Sequence, residues 1–286
     1  MARRARARDP ISNDAFRYPG NALKDKWPQL HHGDREPFPD AGRIARLARG
    51  EPRLTAWLDA EGGAAAVAGR VQEAWRAFHG GNFPHAIEMG ASLGPLGAAA
   101  ANKAAAIHAS AMAPGAAGAL KILQAASKRG EEAIVQLPDA ANSHYMLALV
   151  LGRYSQRISI LQALAEGLGA RVRKLLERTL ELDPRHADAH IALGLYHAEI
   201  VGKLGGFVAG MTYGASPSAA LKHFKRAIEL APRSPIAHLE YAQGLMLLDA
   251  RAHRAKALEL YQRAAECEPF DAMDRLDIER ARQALA

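Results

Sequence analysis

The sequence predicts an all-α solenoid of helical hairpins, with helical extensions inserted into the hairpins and a C-terminal capping helix. Three observations predict it. Ala, Leu, Arg and Glu dominate the 286 residues, aromatics make up 6%, and alternating runs of Val, Ile and Thr are almost absent, which favours helices over sheets. A small residue, a bulky one four on, a small one three later and a proline five beyond recur as Ala220, Phe224, Ala227, Pro232 and as Ala257, Tyr261, Ala264, Pro269. Looser copies are Val172, Leu176, Thr179, Pro184 and Ala126, Gly130, Ala133, Pro138. Finally, three helices open in similar words: HYMLALVLG from His144, HIALGLYHA from His190 and HLEYAQGLM from His238. Self-similarity of this kind is the signature of a repeat fold.

In chain order, residues 1–62 read as an N-terminal arm with one or two short helices, and residues 63–286 as the helical repeat domain. Residues 1–40 lack periodicity and contain Pro10, Pro19, Pro28, Pro37 and Pro39, so they are expected to be extended. Ile44, Leu47, Leu54, Trp57 and Leu58 mark the short helices. The repeat is weak over about 64–138 and clear over 142–269. Its offsets of four and three put the recurring side chains on one helical face, where small residues admit a neighbouring helix and the bulky one fills the gap. Proline then stops the helix, lacking an amide proton and clashing with the preceding turn. Asp139 after Pro138, Ser216 before Pro217 and Ser234 before Pro235 are start signals for the next helices, the serines as caps and the prolines at the first helical position.

The spacing from His144 to His190 is 46 residues and from His190 to His238 is 48, so something is inserted within each pair. The first insert, RYSQRISILQALAEGLGAR, is predicted to carry Ile158, Leu161, Leu164 and Leu168 on one face. The second, VGKLGGFVAGMTYGASPS, has Gly202, Gly206, Gly210 and Gly214 every fourth residue, which predicts an internal line of close helix contact. The competing reading sinks Leu204, Phe207, Val208 and Met211 into lipid or a partner. DAMDRLDIERARQALA predicts an amphipathic helix covering the last hairpin, as terminal repeats require.

Leu193 and Gly194 with Ala220, Phe224 and Pro232 resemble the tetratricopeptide repeat pattern of an aromatic, Leu-Gly, Tyr, then Ala, Phe and Pro, although that family's unit is about 34 residues. Inserts carrying GRYSQ and YGAS, with the helix AALKHFKRAIELAP after them, are similar to the tetratricopeptide family that includes the TRAP-transporter-associated periplasmic T components. A fainter likeness is to regulators of microtubule dynamics. The T-component likeness implies a hydrophobic ligand or a transporter partner. The tetratricopeptide likeness implies a groove lined by the first helix of each pair, which places Tyr145, Leu149, Ile191, Leu195, Leu239 and Gln243 on it. These are mostly apolar and lack the Lys and Asn of a peptide-carboxylate clamp, so capture of acidic peptide tails is not expected. Such a groove must be filled by a helix, an extended segment, an acyl chain or the protein's own arm, because large apolar patches are rarely left in water. The expected function is a non-enzymatic scaffold holding a protein or peptide partner there. The alternative is a carrier or sensor of a small hydrophobic ligand, or an enzyme of unknown type.

Composition excludes other classes. Four of the +7 formal charges come from Arg3, Arg4, Arg6 and Arg8, and no basic run is interleaved with aromatics, so no nucleic-acid partner is expected. The first twenty residues lack the apolar stretch of a secretion signal, and Asp9 and Asp14 argue against a transit peptide, which points to the cytoplasm. Residues 91–120 carry Lys103 as their lone charge but are Ala and Gly broken by Pro95 and Pro114; no transmembrane segment is expected. Cys267 is the single cysteine, so neither an internal disulfide nor a thiolate metal cage can form, and Glu266 and Glu268 beside it disfavour a reactive thiolate. Of the twelve histidines, His190 and His197 share a predicted helix with Glu199 but lie about 10 Å apart by helix rise. No metal or other cofactor is expected, and His144, His190 and His238 read as packing residues. Neither a nucleophile elbow nor a phosphate loop is present, leaving no candidate catalytic residue.

Overall fold

A computed structural model describes residues 16–113 and 115–286; Arg3, Arg4, Arg6, Arg8, Asp9, Pro10, Asp14 and Pro114 lie outside the described residues. Among those described there are fifteen α-helices and no strand. Three short helices, α1 (Ala22–Leu30), α2 (Ala41–Ala48) and α3 (Pro52–Ala60), precede the hairpin α4/α5 (Gly63–His79, Phe83–Ser92). The next hairpin is α6/α7 (Ala98–Ala111, Gly115–Gln136). Two interrupted hairpins follow: α8 (Ala141–Ser155) pairs with α10 (Leu168–Leu182) across the insert α9 (Ile160–Ala165), and α11 (Ala187–Leu204) pairs with α13 (Pro217–Leu230) across α12 (Gly206–Tyr213). The last, α14 (Pro235–Ala265), breaks at Asp249, whose carboxylate accepts from the Ala252 amide at 2.9 Å and caps the second half. Helix α15 (Ala272–Leu285) lies over α14, and its N-terminal end reaches α4.

The recurring motif is the joint between repeats. Ala220, Phe224 and Ala227 are fully buried, and the Phe224 ring stacks on Tyr241 at 5.0 Å between centroids. Gly194 is required opposite it, since a Cβ there would lie 2.7 Å from the ring. The three recurring histidines each do the same job. His144, His190 and His238 direct Nε2 at the carbonyl of the proline six residues earlier, Pro138, Pro184 and Pro232, at 2.8, 3.3 and 2.9 Å. A carbonyl only accepts, so each imidazole donates from Nε2 and satisfies a carbonyl in the loop after a terminated helix.

Ser216 and Ser234 cap α13 and α14 as the sequence predicts, accepting from Ala219 N and Ala237 N. Asp139 does not cap: the N-cap of α8 is Ala140, and Asp139 pairs instead with Arg178 at 3.6 Å. Nor do the inserts form the predicted faces. Gly167, at φ +63°, separates α9 from α10, so Leu168 is buried while Leu161 points outward. Gly205, at φ +76°, ends α11 inside the glycine ladder. Gly202 meets the backbone of a neighbouring helix closely, at Leu247 O, and Gly214 meets the Arg173 side chain, whereas a Cβ at Gly206 would meet nothing. The ladder is therefore not a contact line, because the positive-φ residue Gly205 breaks the helix between its first and second glycines.

The largest departure is the arm. Residues 22–30 form α1 despite Pro28, and Phe16, Leu23, Trp27 and Leu30 are buried in the core shared with α2 to α4. Each such burial stabilises by roughly 1.5–3 kcal/mol, enough to outweigh the missing donor of one proline near a helix end. Residues 31–36 then run along the inner face of the solenoid.

Candidate functional site

The first helices of the pairs, α6, α8, α11 and α14, line the inner face together with α15, and that face is divided in two. One part is filled by the arm. Lys103 of α6 donates to Asp34 at 2.6 Å, and His31 approaches the other oxygen of the same carboxylate with Nδ1 at 2.8 Å. Asn142 of α8 donates to the Asp34 carbonyl at 2.9 Å and to Glu36 at 2.7 Å, while its own oxygen accepts from His186 at 2.9 Å. The tautomer of His186 follows, since its Nδ1 accepts from the Ala189 amide and so caps α11. The Asp188 amide donates to the Gly33 carbonyl at 3.1 Å, and Asp188 packs so closely on Gly33 that no Cβ fits there. Arg35 pairs with Asp183 at 2.6 Å at the outer edge. Across the molecule, His79 and Asp271 meet at 2.8 Å and tie α4 to the start of α15.

Burial alone pushes the Asp34 carboxyl up, but Lys103 and His31 together hold it well below the usual carboxylate range. The same carboxylate, against the opposing effect of burial, keeps the Lys103 ammonium charged. Burial lowers His31 and His186 to about 4, so both are neutral near pH 7. A buried pair of this kind gains its stability from complete hydrogen bonding rather than from charge alone. The network has that property at Asp34, Asn142 and His186.

The other part of the face is open. Toward the C-terminal ends of α8 and α11 lies a cavity of about 680 Å3, within the range of small-molecule sites. Its walls are Ile107 of α6, Ala148 and Leu149 of α8, Val172 of α10, Ile191, Ala192 and Leu195 of α11, and Met273 and Leu276 of α15. Ile160 and Leu164 of α9 form one lip, and Leu204 and Tyr213 the other. Polar groups meet it at two places. Lys103, Tyr145 and Asp188 form the boundary with the arm, the Tyr145 hydroxyl donating to Asp188. Opposite them, Glu240 of α14 is approached by Arg153 at 3.5 Å and by Arg280 at 3.8 Å, and Arg280 also donates to Asp277 at 3.0 Å. Among the described residues, Nε of Arg153 and Oδ2 of Asp277 have no hydrogen-bond partner. Burial, reinforced by Glu240 against the counteracting Arg280, raises the Asp277 carboxyl to about 7, and burial raises Asp188 to about 6. The charged lining is mixed: four cations, Lys103, Arg153, Lys203 and Arg280, against five carboxylates.

Of the six residues predicted to line a groove, Tyr145, Leu149, Ile191 and Leu195 meet at this cavity. Leu239 does not; it is fully buried against Ala264 and Ala281, because α15 covers that stretch of α14. Gln243 is half-buried away from the cavity. Sequence reasoning missed Lys103, Arg153, Glu240, Asp277 and Arg280. Of these Lys103 had a signal, as the lone charge of an apolar stretch. His223 of α13 stands between His190 and His197, 2.9 Å from His190 Nδ1 and stacked on His197, yet no three-residue group able to hold a metal ion is found among the described residues. Cys267 is half-buried, and burial with Asp274 raises its thiol further. No described helix is long and apolar enough to cross a membrane.

Residues 99–286 match the model of a family described as regulator of microtubule dynamics protein 1-3. The match opens within α6 and takes in every helix that walls the cavity, leaving α1 to α5 outside. No curated protein matches the chain.

Proposed function

This chain belongs to the regulator of microtubule dynamics protein 1-3 family, and on that premise we propose that its hairpin domain is a non-enzymatic carrier or sensor of a small hydrophobic molecule. The ligand class is an amphiphile with one apolar body and an uncharged or zwitterionic head. One observation carries the reading: the inner face is already filled by the arm where it is polar and left hollow where it is apolar. A peptide segment would have to displace the buried Asp34 and Lys103 pair to use the whole face. A small apolar body needs no such displacement, and its head would find Arg153 Nε and Asp277 Oδ2 as free hydrogen-bonding groups. The mixed charge of the lining disfavours a strongly anionic head, whose charge would sit beside five carboxylates. The likeness of the inserts to the T components implies the same hydrophobic-ligand reading.

The test is displacement of an environment-sensitive apolar dye by a monoacylglycerol or a lysophosphatidylcholine. The parent should bind the dye and release it to either amphiphile. Ala192→Trp, which fills the cavity from α11, should weaken dye binding at least tenfold with the fold intact by circular dichroism. Equal dye binding by parent and variant would rule the cavity out. The second reading is a scaffold for a protein segment, favoured by the family description, which names microtubule dynamics. It predicts that Leu195→Lys, still folded, loses a protein partner retained by Ala192→Trp.

A further inference from the structure

Six of the eleven exposed large apolar side chains among the described residues sit on α9 and α12, helices of six and eight residues. They are Ile160, Leu161 and Leu164 on the first and Phe207, Val208 and Met211 on the second, with Leu161 and Phe207 each 80% exposed and Met211 75%. Scattered exposed leucines need no explanation, but apolar residues concentrated on two protruding tips do. Both helices stand at the same edge. They interrupt successive hairpins at the C-terminal ends of α8 and α11, and they are joined through α10, where Arg173 donates to the Tyr213 carbonyl at 2.7 Å. The segments 157–174 and 203–214 that hold the tips carry five cations, Arg157, Arg171, Arg173, Lys174 and Lys203, and one anion, Glu166. Arg171, Arg173 and Lys203 also pair with Glu131, Glu177 and Glu199 just outside these segments, so the basic excess rests on Arg157 and Lys174. Ile160 and Leu164 are at once exposed and part of the cavity lip, so the apolar surface runs from the α9 tip into the cavity.

We propose that α9 and α12 form a docking edge for an anionic lipid bilayer surface, the apolar tips entering the interface and the basic collar resting on the head groups. Short helices with a strongly apolar face and flanking cations bind such surfaces through buried area plus attraction to anionic lipid. An internal helix contact would have buried Phe207 and Met211, and a second copy of the chain would oppose the cations of one edge to those of the other. The mouth of the cavity would then open onto the bilayer. Docking goes beyond ligand binding and does not need it: a cavity-filled chain should still dock.

Flotation of the full chain tests this, using vesicles of phosphatidylcholine alone and of phosphatidylcholine with phosphatidylserine. The parent should float with the anionic vesicles, at least tenfold less with the neutral ones, and less as salt rises. Leu161→Glu/Phe207→Glu/Met211→Glu changes three exposed positions and should reduce flotation at least tenfold. Val135→Glu, exposed near the end of α7 at the opposite edge, should float like the parent, and so should Ala192→Trp. A parent that stays at the bottom of the gradient overturns the proposal, as does a triple variant that floats equally well. A parent dimer in sedimentation velocity that the triple variant abolishes, without flotation, would assign the tips to a second copy instead. Loss of flotation in Ala192→Trp alone would make binding a matter of the cavity and overturn docking by the tips.

Discussion

Replacing Lys103 by Met should loosen the arm from the inner face and cost a large part of the stability of the fold. Lys103 is 5% exposed and Asp34 1%, their polar atoms are 2.6 Å apart, and the ammonium also lies 5.5 Å from the centre of the Phe78 ring. Met keeps most of the volume and removes the charge. Asp34 then retains His31 as its side-chain partner, but that imidazole is neutral. Breaking one partner from a buried pair costs about 3–5 kcal/mol. At about 2–4 °C per kcal/mol for a chain of this size, the midpoint should fall by roughly 6–20 °C. Thermal unfolding followed by circular dichroism at pH 7 measures it, and limited trypsin digestion at Arg35 reports the arm directly. Adding Asp34→Asn removes the stranded charge, so the double variant should recover part of the loss and show coupling between the two sites. A single variant within about 2 °C of the parent, or a double variant no better than the single, would refute the claim that this pair holds the arm.

Other consequences follow from the same packing and charges. Phe224→Ala empties the space between two hairpins and should cost about 3–5 kcal/mol in urea unfolding. His31 and His186 have folded values near 4 against 6.5 when unfolded. The unfolded chain therefore binds more protons between those values, and stability should fall as pH drops from about 6.5 to 4. His186→Asn should flatten the melting temperature measured between pH 7 and pH 5. Asp277 has the opposite sign: with its folded value raised to about 7, the folded chain binds more protons and stability falls as pH rises from about 4 to 7. Asp277→Asn should consequently raise the melting temperature at pH 8 relative to the parent, and by less at pH 5.

The hairpins were legible because their determinants are local. Ala220, Phe224, Ala227 and Pro232 lie within one helix and its stop, and the proline-to-histidine spacing of six repeats intact at all three joints. The arm was not legible, because what fixes it is distant: Asp34 meets Lys103 and Asn142, Gly33 meets the backbone amide of Asp188, and no window of sequence contains those partners. Pro28 misdirected the reading of residues 22–30, where burial of Leu23, Trp27 and Leu30 prevails over the lost donor. Of the cavity, the contribution of α8 and α11 could be read from the Leu-Gly register. The contribution of α15 could not, since covering the last hairpin predicts which side of α14 is buried but not that Asp277 and Arg280 turn inward. Leu239 failed for the same reason. Lys103 offered a clue in plain sight, since a single charge amid alanines on a helix is either a solvated exception or a buried partner waiting for its carboxylate.

Native mass spectrometry of the protein purified from its own cells tests most directly whether the cavity is a ligand site. The prediction is a species heavier than the polypeptide by one small apolar molecule, released on denaturation into an organic extract and absent from Ala192→Trp prepared in the same way. A parent at the bare polypeptide mass that also yields an empty extract, or an adduct carried equally by Ala192→Trp, would contradict it.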